Sequence, residues 1–148
     1  MTLLAYLTLF LSAFGAATIL PGSSEVVLSA LLLDHPGAIW ALLAIATIGN
    51  TLGSAVNWVL GRFLLHFRDR RWFPVSHRRL DQASNLFQRY GYPLLLLAWV
   101  PVIGDPLTVA AGILRARFLP FLLLVLIGKA ARYAALGAGI WFGAGLDS

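Results

Sequence analysis

Glu25 and Asp105 each stand four residues after a proline, in the interruptions PGSSE and PVIGDP of two otherwise apolar stretches. Lys129 and Arg132 lie in a third apolar stretch at i and i+3, hence on nearly one face of a helix. An ionisable group at bilayer depth costs about 2.5 to 3.5 kcal/mol on insertion scales, so these four need partners, water or a function. A carboxylate shielded from water exchanges protons near neutral pH, as coupling to a proton gradient requires, and Glu25 and Asp105 are the candidates for that role or for solute binding. Arginine stays charged, and its planar fork matches a phosphate bidentately, which suits Arg132 and Arg115 to a lipid headgroup. Lys129 adds positive charge beside them. The plainer alternative is that acid and base simply pair as internal staples.

Composition places these groups in a membrane. The chain has 148 residues, 59% hydrophobic and 11% charged, with a mean hydropathy of +0.83, well outside the soluble globular range. That length makes one domain and leaves no room for a separate soluble module. There is no cysteine, which excludes disulfides and thiol chemistry, and His35, His66 and His77 lack metal-site spacing. No metal or other cofactor is expected, and nothing points to nucleic acid. The apolar run 3–14 is not preceded by Lys or Arg and is followed by more apolar sequence, so it reads as a membrane segment rather than a cleaved signal.

The elements that must position the charges are four apolar segments, 2–33, 38–61, 91–114 and 118–145. The second and fourth are predicted to be spanning helices, since about 20 apolar residues cross a bilayer core. The first and third are broken, with Pro21 and Gly22 at one tip and Pro101, Gly104 and Pro106 at the other. Breaks at bilayer depth must be buried in protein or face a wet cavity. Between the halves, 63–90 carries Arg68, Arg70, Arg71, Arg78, Arg79 and Arg89, which mark the cytoplasmic side. Within it Leu80, Ala83, Phe87 and Tyr90 recur at helical spacing, predicting an amphipathic helix lying on the inner membrane surface.

The halves resemble one another. Pro101 follows Pro21 by 80 residues, Asp105 follows Glu25 by 80, and Gly128 follows Gly49 by 79. Each repeat is a broken hairpin plus one spanning helix, so consecutive copies insert upside down if each hairpin returns to its own side. Arg115 and Arg117 then fall on the cytoplasmic side with the arginine-rich linker, and Asp34 and Asp147 fall outside. The expected architecture is an all-α integral membrane protein of two inverted repeats, each a re-entrant helical hairpin followed by a transmembrane helix. It forms a single membrane domain, with repeat one at 1–62, the linker at 63–90 and repeat two at 91–148. Inverted repeats with discontinuous helices are a design of secondary transporters. Gly49, Gly53, Ser54 and Gly61 on one spanning helix, and several glycines on the other, permit close packing. Asn50 and Asn57, at i and i+7, form one stripe able to hydrogen-bond a broken hairpin.

PGSSEVVLSALLL, GNTLGSAVNWVLGR, WVPVIGDPLTVAAGILR and GKAARY together resemble the DedA/VTT membrane protein family, in its small YqaA-like bacterial branch, over nearly the whole chain. The resemblance implies opposed re-entrant hairpins, a bacterial inner-membrane location and lipid movement between leaflets. It further implies a substrate such as undecaprenyl phosphate and drive from the proton motive force. By position, Glu25 matches the family's acidic residue after Pro-Gly, and Arg62 the basic residue closing the next helix. Many members carry arginine near the position of Gly104 and Asp105, where this chain does not. The expected function is therefore a transporter or flippase for an anionic lipid carrier, with lipids and protons as partners, and not an enzyme. An intramembrane enzyme using Glu25 and Asp105, or a non-catalytic assembly or lipid-packing factor, is the alternative. Whether two copies associate as a homo-oligomer is left open.

Overall fold

The computed structural model describes residues 3–16, 23–63, 77–100, 104–143 and 145. Pro21, Gly22, Pro101, His66 and Arg68 to Arg71 lie outside the described residues. Every described element is helical: α1 (Leu3–Ala16), α2 (Ser23–Asp34), a 3-10 turn (Pro36–Ala38), α3 (Ile39–Phe63), α4 (His77–Tyr90), a 3-10 segment (Tyr92–Trp99), α5 (Gly104–Ile113) and α6 (Phe118–Gly143).

Among the described residues, two helices are long and apolar enough to cross a membrane, Pro36–Phe63 and Phe118–Gly143. At 1.5 Å per residue the 14, 12 and 10 residues of α1, α2 and α5 reach about 21, 18 and 15 Å, each short of a hydrocarbon core about 30 Å thick. Leu3, Leu4, Leu11, Val26, Trp40, Ile48, Leu119, Leu123, Ile127 and Phe142 are all exposed. An apolar exterior of this extent is unstable in water and suits lipid.

Glycines set the helix contacts. A Cβ on Gly49 would stand 2.8 Å from the Phe10 carbonyl oxygen, which brings α1 onto α3. Gly61 and Gly112 fit against each other's helix so closely that a Cβ on either would fall 2.1 Å from the facing carbonyl, of Val109 and Trp58 respectively. Asn57 meets Thr108 and Gly61 meets Val109 and Ile113, so α3 and α5 run parallel. Gly128 receives the 3-10 segment, with the Leu96 carbonyl 2.7 Å from where a Cβ would sit. Each first arm thus lies on the long helix that follows it; α5 packs on α3 of the other half, and α2 touches both α3 and α6.

Three clusters fill the interior. Leu9, Ala13, Leu28, Leu32, Leu42, Ala46 and Tyr133 join α1, α2, α3 and α6. Leu80 and Ala83 of α4 pack with Leu107, Val109 and Ala110 of α5. Phe87, Leu95, Ala98, Ala111, Phe121 and Val125 close the second half, where Trp58 donates its indole N–H to the Ala116 carbonyl at 3.1 Å.

Two elements differ from the sequence reading. The apolar stripe of α4 is covered by α5 and the 3-10 segment rather than facing lipid: Leu80, Ala83 and Phe87 are buried, and of that stripe Tyr90 alone is exposed. The buried α5 needs a cover, and a stripe this narrow is used up in supplying it. The arm Tyr92–Trp99 is a 3-10 helix of eight residues, an unusual length for that form, beginning at Gly91 with φ 74° and ψ −151°, a conformation open only to glycine.

Candidate functional site

The site forms where both interrupted segments meet the middle of α6. Lys129 is the twelfth of the 26 residues of α6 (129 − 117 = 12), near the middle of that helix. Arg132 and Tyr133 follow at i+3 and i+4 on the same face. From α5, Asp105 reaches Lys129, with Oδ1 3.2 Å from Nζ; the lysine is 1% exposed and the aspartate 33%. From α2, the Glu25 carboxylate pairs with the Arg132 guanidinium, at 38% and 20% exposure. Between them the buried Tyr133 hydroxyl lies 2.7 Å from Ser24 Oγ, and the Arg132 guanidinium sits over the Tyr133 ring at 5.7 Å.

These contacts have clear physical causes. Asp105 occupies the first turn of α5, where the helix dipole favours a negative charge. Thr108 donates to the Asp105 carbonyl oxygen at 2.6 Å and accepts from Asn57 Nδ2 at 3.1 Å, so α3 holds the first turn of α5 in place. Gly104 packs against the Ala98 backbone, where a Cβ would lie 2.2 Å from its carbonyl oxygen, and Pro106 is buried beside it. Asn50 Nδ2 donates to the Ala13 carbonyl at 2.7 Å, binding α3 to the end of α1.

The arrangement unites one acid from each interrupted segment with adjacent bases on one helix. Each carboxylate is bonded to a base rather than to the other carboxylate, unlike an aspartyl dyad that shares a proton. Arg62 and Arg115 do not join this cluster. Arg62 is in the last turn of α3 with its guanidinium 5.2 Å from the centre of the Phe63 ring. Arg115 is exposed with φ 59° in the turn that closes α5. Its N–H donates to the Gly112 carbonyl and that of Ala116 to the Ala111 carbonyl, a left-handed cap normally filled by glycine. Both arginines lie at the same end of the α3–α5 contact, since the backbone N of Arg62 borders Gly112. Among the described residues no group of His, Cys, Asp and Glu is arranged to hold a metal.

The VTT domain model matches residues 20–141, which include both acid–base pairs. This chain belongs to the VTT domain (DedA) family. Among its relatives, inner membrane protein YqaA of Escherichia coli (strain K12) is 42% identical over 135 residues, covering 91% of this chain and 90% of the relative. Undecaprenyl phosphate transporter A of Staphylococcus aureus is 28% identical, covering 82% of this chain and 70% of that protein. The protein of the same name from Bacillus subtilis is 30% identical over 95 residues, 62% of this chain and 48% of its own. No solved structure matches.

In this VTT chain, Ser24, Thr108 and Tyr133 complete the polar cluster without standing out in the sequence. Neutral polar residues are common in apolar helices. The available signal was spacing: Tyr133 is i+4 from Lys129, and Thr108 is i+3 from Asp105.

Proposed function

We propose that this protein is a transporter of the bacterial inner membrane that moves an anionic lipid carrier, of the undecaprenyl phosphate type or a phospholipid, between leaflets. The observation that carries this reading is the pairing of Glu25 with Arg132 and Asp105 with Lys129 on one face of α6 near its midpoint. The names of the Staphylococcus aureus and Bacillus subtilis relatives support the same substrate class.

The chemistry is an exchange of anions on fixed bases. Arg132, part-exposed, offers a phosphate the bidentate fork that Glu25 otherwise occupies. A proton taken up by Glu25 cancels its charge and frees Arg132 for the phosphate, and loss of that proton returns the carboxylate and expels the anion. Asp105 and Lys129 repeat this logic deeper in the protein. Lipid entry is thereby linked to proton uptake, and the chemistry is transport rather than catalysis. Two inverted repeats, with re-entrant hairpins and a cytoplasmic linker, give the alternating frame for it. The crosswise packing of the second arms and the shortness of α1, α2 and α5 support that topology.

The test is translocation of a fluorescent polyprenyl phosphate in vesicles holding purified protein. Glu25→Gln, Asp105→Asn and Arg132→Ala are each expected to lose most of the activity while remaining in the membrane. Normal translocation by all three would overturn the reading.

A further inference from the structure

The middle of α3 holds a second polar cluster that the acid–base pairs do not use. Asn50, Thr51 and Ser54 are 1%, 4% and 0% exposed, and their spacing of i+3 and i+4 to Ser54 makes them neighbours on one side of the helix. Among the described residues, Asn50 Oδ1, Thr51 Oγ1 and Ser54 Oγ have no hydrogen-bond partner. The hydroxyls do not take even the local solution available to every helical Ser and Thr, the carbonyl four residues back. Thr8 does take it, donating to Leu4 at 2.8 Å, although it is exposed and could use solvent. A buried oxygen left unpaired costs about 1 to 3 kcal/mol, so a ligand that satisfies all three is favoured.

The surroundings fix the sign of the occupant. The Asn50 amide gives an N–H to the Ala13 carbonyl, and its unpaired oxygen is an acceptor. That carbonyl belongs to the last turn of α1, where helix carbonyls lack intrahelical partners and carry partial negative charge. No basic residue in that turn offsets it. Carboxyl ends of broken helices together with neutral side-chain oxygens are the ligands transporters offer to sodium. No carboxylate belongs to the trio, whereas calcium and magnesium sites rely on them, so the charge to be matched is single.

The sequence repeat gives an independent indication. The offset of 79 that aligns Gly49 with Gly128 sets Asn50 opposite Lys129 and Ser54 opposite Tyr133 (129 − 50 = 79; 133 − 54 = 79). Asn50 is the twelfth residue of α3 (50 − 38 = 12), as Lys129 is of α6. Where one long helix carries its own buried ammonium, the other presents a buried set of oxygens. We propose that Asn50 Oδ1, Thr51 Oγ1 and Ser54 Oγ, with the carboxyl end of α1, bind a sodium ion. This site goes beyond the translocation reading and does not rest on it.

Binding is measured on the full chain in lipid nanodiscs, by saturable uptake of radioactive sodium and by the unfolding temperature read from tryptophan fluorescence. Sodium chloride is exchanged for potassium or choline chloride at constant ionic strength. Wild type is expected to bind sodium saturably and to unfold at a higher temperature in sodium than in choline. Thr51→Val and Ser54→Ala each weaken sodium affinity by about tenfold, as loss of one ligand oxygen requires. Thr51→Ser keeps the oxygen and binds as wild type, and Thr8→Val is without effect. Absence of saturable sodium binding in wild type, or affinity unchanged in both Thr51→Val and Ser54→Ala, overturns the proposal and leaves the slot to water. Weakened binding by Thr51→Ser equal to that of Thr51→Val would overturn it as well.

Discussion

Lys129 and Glu25 mark the two extremes of how a charge is carried in this protein. Lys129 is 1% exposed with Asp105 as its ion-pair partner, so Asp105→Asn leaves a buried ammonium unmatched. That change is expected to cost about 3 to 5 kcal/mol in denaturant unfolding of the purified protein. The double variant Asp105→Leu with Lys129→Met removes both charges and is expected to regain most of that stability but not transport. Recovery of both would reduce the pair to a staple. Glu25 and Arg132 are part-exposed, so Glu25→Gln is expected to cost no more than about 1 kcal/mol while abolishing translocation. The four charged residues were legible in the sequence because charge in an apolar run is expensive. Which acid meets which base was not, because α6 receives arms from both halves and only packing decides the match.

At the level of elements, close approach of backbones takes the place of a hydrophobic drive that lipid does not provide. Gly61→Ala forces its Cβ to within 2.1 Å of the Val109 carbonyl and must push α3 and α5 apart, whereas a Cβ on Gly139 meets nothing within 4 Å among the described residues. Gly61→Ala is expected to lose about 1 to 3 kcal/mol as an overpacked contact, and Gly139→Ala to be neutral or slightly stabilising. Thermal unfolding of the two in the same detergent checks the contrast. Breaks are expected from the sequence near Pro21 and Pro101, positions outside the described residues, because Pro and Gly punctuate helices. The 3-10 form of Tyr92–Trp99 is not, since Leu94 to Leu97 are apolar without any period to read. The period of α4 was plain, but nothing in its sequence says that α5 rather than lipid covers Leu80 and Ala83.

At the scale of the molecule, the proposed topology pinches the protein from both sides toward its middle. The chain lacks cysteine, so single cysteines report topology cleanly. Asp34, Gln88 and Arg117 are all exposed. Cysteine at Gln88 and at Arg117 is expected to be labelled from the cytoplasmic side by an impermeant reagent, and cysteine at Asp34 from the opposite side. Labelling of 88 and 117 from opposite sides would mean that the second interrupted segment crosses the membrane fully. Labelling of 34 and 88 from one side would deny that α3 crosses at all.

The central claim is that a proton on Glu25 lets a phosphate take the carboxylate's place on Arg132. The direct measurement is translocation of fluorescent polyprenyl phosphate in proteoliposomes with and without an imposed pH gradient, comparing wild type with Glu25→Gln. Movement that rises with the gradient in wild type and is lost or gradient-insensitive in the variant is the predicted result. Movement that ignores the gradient in wild type, or that responds to it equally in Glu25→Gln, would contradict the account.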